Sequence, residues 1–279
     1  MPRRQVYQPA GAPPVSNALP LSDLLERLLP IVRDAGDIVM SVYATDFSVR
    51  GKDDASPVTE ADERAEQVIL DGLAALAPEI PVVAEEAVAA GRVPEIGRRF
   101  WLVDPLDGTK EFIKRNGEFT VNIALVEDGL PLLGVVLAPA LGKLYAGAVG
   151  IGAFIEDANG RRTIRCRVPP AAGLTVVASR SHGDAAALDA FLAGRKVAKL
   201  ASAGSSLKLC LIATGEADLY PRLGRTMEWD IAAGHAVLAA AGGCVTDLDG
   251  RPLAYAKPGF ENPHFAAWGF EEDAAPQAR

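Results

Sequence analysis

The stretch Trp101-Leu102-Val103-Asp104-Pro105-Leu106-Asp107-Gly108-Thr109-Lys110-Glu111-Phe112 decides how this chain is read. An apolar run, Phe100 to Val103, has the character of a strand and ends in Asp104-Pro105. Pro105 fixes its own φ and biases Asp104 toward extended backbone, so the carboxylates of Asp104 and Asp107 can face one point from a stiff turn. Oxygen donors of this kind suit Mg2+, a hard cation that keeps part of its water shell. Past Gly108, Thr109 is expected to open a helix whose free N–H groups suit a phosphate. Pro-Leu-Asp-Gly is also an ordinary β-turn sequence. The functional reading gains weight from other carboxylates expected at element ends: Asp62, the Glu85-Glu86 pair and Asp230.

Upstream, Leu21 to Tyr43 carries apolar residues at helical spacing, with Ser22 and Asp23 as the expected cap and Pro30 as an expected kink. Val58 to Leu76 repeats the amphipathic pattern, capped by Thr59 or Ser56, and Pro81 to Ala84 predicts a short strand. Downstream, Val121–Val126, Leu132–Leu137, Lys143–Val149 and Ala153–Glu156 read as an antiparallel meander. The remainder alternates strand and helix: Leu174–Ser179, Ala185–Leu192, Ser206–Thr214 and Ala217–Pro221. A helix of small residues, Trp229–Ala241, is then ended by Gly242-Gly243. Three segments are expected: a flexible N-terminal arm (1–20), an α+β half carrying the main metal site (21–165) and an α/β half carrying the rest (166–279). With no repeat and no linker, the halves should share an interface.

The chain has 279 residues, 28 basic against 36 acidic, a formal net charge of −8, and 49% hydrophobic positions. That composition folds and excludes disorder and collagen-like repeats. An acidic chain with no basic run disfavours nucleic acid as a partner. Cys166, Cys210 and Cys244 are odd in number and widely spaced, which argues against a disulfide framework or a zinc site, and three histidines supply no His-based metal cluster. His235, inside the small-residue helix, reads as a packed histidine, and Cys210 and Cys244 read as small core residues. No transmembrane run and no signal-peptide-like run is present, so a cytoplasmic location is expected.

Four blocks taken in order, Lys52–Asp62 (KDDASPVTEAD), Val82–Glu86 (VVAEE), Trp101–Phe112 and Glu228–Gly243 (EWDIAAGHAVLAAAGG), resemble the lithium-sensitive, Mg2+-dependent phosphatases that include inositol monophosphatase. Ser179-Arg180-Ser181-His182, Gly204-Ser205-Ser206-Leu207-Lys208, Tyr220-Pro221-Arg222 and Trp229 before Asp230 resemble its 3′(2′),5′-bisphosphate nucleotidase branch. The resemblance implies a mixed α/β, layered αβαβα sugar-phosphatase fold. It implies that Glu85, Asp104, Asp107, Asp230 and the Leu106 carbonyl hold two or three Mg2+. Catalysis would fall to Thr109, which holds the attacking water, with Asp62 as its acidic partner and Glu85 as a further acid.

For the substrate, the resemblance implies contacts from Leu106, Asp107, the Gly108 and Thr109 amides, His182, Ser205, Lys208, Arg222 and Asp230. The activity it implies is hydrolysis of adenosine 3′,5′-bisphosphate to AMP and phosphate, with the sulfated nucleotide as a further substrate. The alternatives are a phosphatase of the same fold acting on inositol monophosphate or fructose 1,6-bisphosphate, and more remotely a non-catalytic metal- or nucleotide-binding module. A monomer is the default expectation, and peripheral association with the inner membrane is the second placement beside free cytoplasm.

Overall fold

The computed structural model describes residues 19–51, 57–179 and 185–270. Most of the N-terminal arm, Lys52 to Ser56 of the first motif block, and His182 lie outside the described residues.

The chain starts with α1 (Leu21–Tyr43), whose buried stripe Leu24, Leu25, Leu28, Val32, Ala35, Val39 and Val42 recurs at helical spacing. Its cap differs from expectation: Pro20 occupies the N-cap with no side-chain hydrogen bond, and Ser22 and Asp23 lie inside the helix. A short hairpin, β1 (Arg50–Gly51) with β2 (Pro57–Val58), leads into α2 (Glu60–Leu76). Thr59 caps α2, accepting from Ala61 N, while Asp62 accepts from Thr59 N.

There follow β3 (Val82–Ala84), the five-residue helix α3 (Glu85–Ala89), β4 (Arg99–Asp107) and the five-residue helix α4 (Thr109–Ile113). The expected end of β4 at Val103 is a correction: the strand runs on to Asp107, with its pairing to the next strand interrupted between Asp104 and Asp107. Pro105, with no N–H to give the ladder, sits in that irregularity. The meander is β5 (Thr120–Glu127), β6 (Leu130–Ala138), β7 (Lys143–Ala148), β8 (Gly152–Asp157) and a strand the sequence reading missed, β9 (Gly160–Ile164). Four of the five β9 residues are exposed, so it lacks the apolar alternation that marks a strand in sequence.

The second part is β10 (Leu174–Ser179), α5 (Ala185–Leu192), β11 (Val197–Ala203), α6 (Leu207–Ala213), β12 (Leu219–Arg222), α7 (Glu228–Ala240), β13 (Cys244–Asp247) and β14 (Phe265–Trp268). β11, β13 and β14 were not foreseen; β11 is mostly exposed at a sheet edge, and β13 and β14 have only four residues each.

Two sheets result. Seven strands in the order β3-β4-β5-β6-β7-β8-β9 are antiparallel except for the parallel pair β3/β4. Five strands in the order β11-β10-β12-β14-β13 mix parallel and antiparallel pairs. The alternation along β4 explains the layers. Trp101 and Val103 face α1 and α2, whereas Phe100 and Leu102 face a second core filled by α6, α7 and one side of the smaller sheet. The other side of the smaller sheet packs Leu174, Val176, Leu219 and Trp268 against Phe191 of α5. This is the layered αβαβα arrangement.

The position of α7 matters most for the site. A Cβ added to Gly134 of β6 would stand 2.3 Å from the Ala233 carbonyl oxygen, so glycine and the small residues of α7 let helix and sheet backbones touch. Pro30 sits within an unbroken α1. His235 is buried and its Nδ1 pairs with the Tyr255 hydroxyl at 2.9 Å, while burial lowers its pKa to about 4. Cys210 is fully buried; Cys244 and Cys166 are half-buried.

Candidate active site

A cavity of about 760 Å³ opens where the two sheets meet, and its walls come from the end of β4, α3, α4, the turn before α6, the end of β12 and the start of α7. Glu85, Asp104, Leu106, Asp107, Gly108, Thr109, Ser205, Lys208, Arg222 and Asp230 all line it. Asp62 does not line it but stands directly behind Thr109, whose hydroxyl lies 3.4 Å from Asp62 Oδ1 and 3.3 Å from the Leu106 carbonyl oxygen.

Each acid is held by the element that presents it. Glu85 is the first residue of α3, directly after β3. Asp104 sits at the pairing irregularity of β4 and its Oδ1 accepts from the Leu106 amide at 3.0 Å. Asp230, in the first turn of α7, reaches back three residues to accept from Met227 N at 2.9 Å. Carboxylate oxygens from Glu85, Asp104 and Asp230 lie within 4.8 Å of one another.

Asp107 faces the same cavity but is not part of that trio. Its Oδ2 is engaged by the Ser206 amide at 2.6 Å and approached by Asn122 Nδ2 at 3.5 Å. Gly108 lets the chain leave β4 and enter α4: its φ is +89°, in the left-handed region where a side chain is strained. The Gly108 carbonyl then accepts from Phe112 N, closing the turn of α4.

The electrostatics are those of a site short of positive charge. Burial, then the charges of Glu85, Asp107 and Asp230, push the Asp104 carboxyl well above its usual range. Burial and the charges of Asp107 and Glu85 do the same to Asp230. Asp107 rises to about 6 through burial, moderated by the Lys208 ammonium and the Ser206 amide. Burial lifts Asp62 to about 7 against the opposing hydrogen bonds of Thr59. Three converging carboxylates that repel one another, Asp104 buried and Glu85 and Asp230 half-buried, match the donor set of a hard divalent cation, which would relieve the repulsion.

Cationic groups line the same cavity. Lys208 is 4% exposed, and its Nζ donates to the carbonyls of Ala203 and Ser205 and stands 5.2 Å over the Tyr220 ring. Burial lowers its pKa to about 8, with the nearby Asp107 carboxylate working the other way. A lysine on an amphipathic helix is usually a solvated charge; this one is interior. Arg222 donates to the Arg225 carbonyl at 2.7 Å, and Arg225 also lines the cavity while pairing with Glu261 at 3.2 Å. Ser205 holds a left-handed φ of +46° at the turn between β11 and α6. His182 lies outside the described residues, so its placement is not part of this geometry.

The sequence reading missed three contributors. Ser206 holds Asp107 through its amide and joins Thr120 and Asn122 through its hydroxyl, each at 2.8 Å. Arg225 is a further cavity cation. Glu66, one helical turn after Asp62, reaches the start of α3. Only Glu66 had a sequence signal, its i+4 spacing from Asp62 on the inner face of α2. Trp229, for which a core role and a cavity role were both open, serves both: it is 5% exposed, lines the cavity and packs on Phe260.

The family profile described as the inositol monophosphatase family matches residues 21–278. This chain belongs to that family. Members are in general Mg2+-dependent, in keeping with the carboxylate trio. Within the family the chain is 51% identical over 247 residues to the 3′(2′),5′-bisphosphate nucleotidase CysQ of Shigella flexneri, covering 87% of this chain and 98% of the relative. It is 50% identical, with the same coverage, to the CysQ protein of Escherichia coli K12. Among solved structures, CysQ from Bacteroides thetaiotaomicron matches with a TM-score of 0.75 at 36% identity, over 89% of this chain and 98% of that one. The Thermotoga maritima IMPase matches with a TM-score of 0.72 at 28% identity, over 88% and 92%. Among the described residues, no helix of this family member is long and apolar enough to cross a membrane.

Proposed function

We propose that this protein is a 3′(2′),5′-bisphosphate nucleotidase that removes the 3′-phosphate of adenosine 3′,5′-bisphosphate, giving AMP and phosphate, and that it also dephosphorylates the sulfated form of that nucleotide. The observation that carries this is one cavity lined by both the carboxylate trio and the cations Lys208 and Arg222, in a chain half-identical to the CysQ nucleotidases over nearly their whole length. The acidic wall suits metal-assisted attack on a phosphomonoester, and the cationic wall suits a second anionic group on the same substrate.

Glu85, Asp104, Asp107, Asp230 and the Leu106 carbonyl would hold two or three Mg2+. Such ions supply a lowered water pKa and charge neutralisation at the leaving oxygen. The protein's own part is orientation and proton handling. The Thr109 hydroxyl, fixed between Asp62 and the Leu106 carbonyl, orients the attacking water. Asp62, at about 7, exists in both protonation states near neutral pH and so can take up the proton. The Gly108 and Thr109 amides, at the start of α4, would receive phosphate oxygens. Ser205, Lys208, Arg222 and His182 would surround the nucleotide. We place the protein in the cytoplasm, acting as a monomer, which light scattering at the mass of one chain would support.

Phosphate release from adenosine 3′,5′-bisphosphate, inositol 1-phosphate and fructose 1,6-bisphosphate tests the reading. The bisphosphonucleotide should lead by orders of magnitude in kcat/KM, with release abolished by a chelator and reduced by Li+. A lead for either of the other substrates would overturn the nucleotide assignment and leave the acidic wall standing.

A further inference from the structure

The start of α3 lacks a cap of its own. Its N-cap residue is Ala84, which has no side-chain oxygen, and no side-chain hydrogen bond is made from that position. A helix of five residues has no spare backbone bonding to hold its first turn in place. Yet its first residue is Glu85, one of the three acids whose oxygens converge within 4.8 Å.

The missing acceptor comes from another element. Glu66 of α2, 3% exposed, places Oε2 2.7 Å from the Glu86 amide, and its carboxylate also accepts from the Ala87 amide. Four residues earlier on the same helix face, Asp62 meets Thr109. One turn of α2 therefore spans the two structures that flank the cavity floor, the first turn of α3 and the first turn of α4. A solvated glutamate would gain nothing from burial here; buried carboxylates are found where they are hydrogen-bonded.

We infer that Glu66 is a positioning residue for the metal site: it caps α3 from α2 and so fixes the place of Glu85 relative to Asp104 and Asp230. The inference rests on the reading of Glu85 as a metal ligand. Ligating carboxylates depend on the groups that hold them, and loss of such a group typically weakens metal binding by about 10- to 100-fold.

The experiment is Mg2+ titration by calorimetry, together with the Mg2+-induced rise in Tm, on the full chain and three variants. Glu66→Ala should weaken Mg2+ binding by about 10- to 100-fold, and excess Mg2+ should recover most of its kcat. Glu66→Gln keeps an oxygen that can accept from the Glu86 amide and should stay within about threefold of the parent. A general loss of structure would lower Tm in both media alike without changing the Mg2+ affinity of the folded fraction. Equal Mg2+ affinity in Glu66→Ala and the parent, or equal losses in Glu66→Ala and Glu66→Gln, would overturn the inference. If Glu66→Ala does not fold, Glu66→Met, of similar volume and with no good acceptor, takes its place under the same criteria. Glu85→Gln separates the two layers of reasoning: unchanged Mg2+ affinity in that variant overturns the ligand assignment itself, and a loss there beside normal affinity in the Glu66 variants overturns the positioning role alone.

Discussion

The acidic and cationic walls of the cavity are held by opposite backbone groups, amides for the acids and carbonyls for the cations. On the acidic wall, Glu85 and Asp230 sit in the first turns of helices and Asp104 at the pairing irregularity inside β4, and backbone amides hold Asp104 and Asp230 at 2.9 to 3.0 Å. On the cationic wall, Lys208 near the start of α6 donates to the carbonyls of Ala203 and Ser205, and Arg222 at the end of β12 donates to the carbonyl of Arg225. The acidic wall is stiff and suited to chemistry that a whole family shares. The cationic wall is suited to deciding which phosphomonoester is accepted.

Removing an acid should break the comparison most. Asp104→Asn is expected to lower kcat/KM by about 10³-fold or more on every substrate, because a metal supplies several kcal/mol of charge stabilisation and each 1.4 kcal/mol is tenfold. Phosphate-release assays on the folded variant check this, and a loss confined to the nucleotide would reverse the roles assigned to the walls.

On the other wall, Arg222→Ala should raise KM for adenosine 3′,5′-bisphosphate by about 10- to 100-fold, the worth of one charge-assisted hydrogen bond, and change inositol 1-phosphate hydrolysis little. Equal losses on both substrates would remove Arg222 from the nucleotide wall.

A pH series sharpens the contrast further. The raised carboxyls hold protons in the folded protein that the unfolded chain has already released, so without metal their contribution to stability falls as pH rises from about 4 to about 7. At pH 5, Asp107 at about 6 keeps a proton that Mg2+ must displace, and the raised carboxyls of Asp104 and Asp230 act in the same direction. The rise in Tm caused by Mg2+ should therefore grow between pH 5 and pH 7.5, as measured by thermal melts with Mg2+ against EDTA. A constant rise would show that these acids do not bind the ion.

The smallest effect concerns the scaffold. Gly134→Ala would press a methyl group onto the Ala233 backbone, costing about 1 to 3 kcal/mol and several degrees of Tm. Because α7 carries Asp230, Mg2+ affinity should drop with it. An unchanged Tm would mean that the close approach of α7 and β6 is dispensable.

Much of this was legible in the sequence. Pro105, Gly108 and the capping pattern of Thr59 with Asp62 act within a few residues, and the helices α1 and α5 and the strand β10 match their expected bounds. The exposed strands β9 and β11 and the short strands β13 and β14 escaped because sheet edges and short pairings carry no periodic pattern.

By itself, then, the sequence determined most of the turns, the placing of Glu85 and Asp230 at element ends though not the continuation of β4 past Asp104, and which family the chain resembles, because local backbone sterics and hydrophobic period are written in adjacent residues. Only the tertiary structure decided that Glu85, Asp104 and Asp230 converge while Asp107 is drawn aside by Ser206, that Lys208 is interior, and that Glu66 caps a helix it is not part of. The convergence of the three acids joins residues 19 to 145 positions apart, and the Glu66 cap joins residues 20 apart, and no local pattern carries that information.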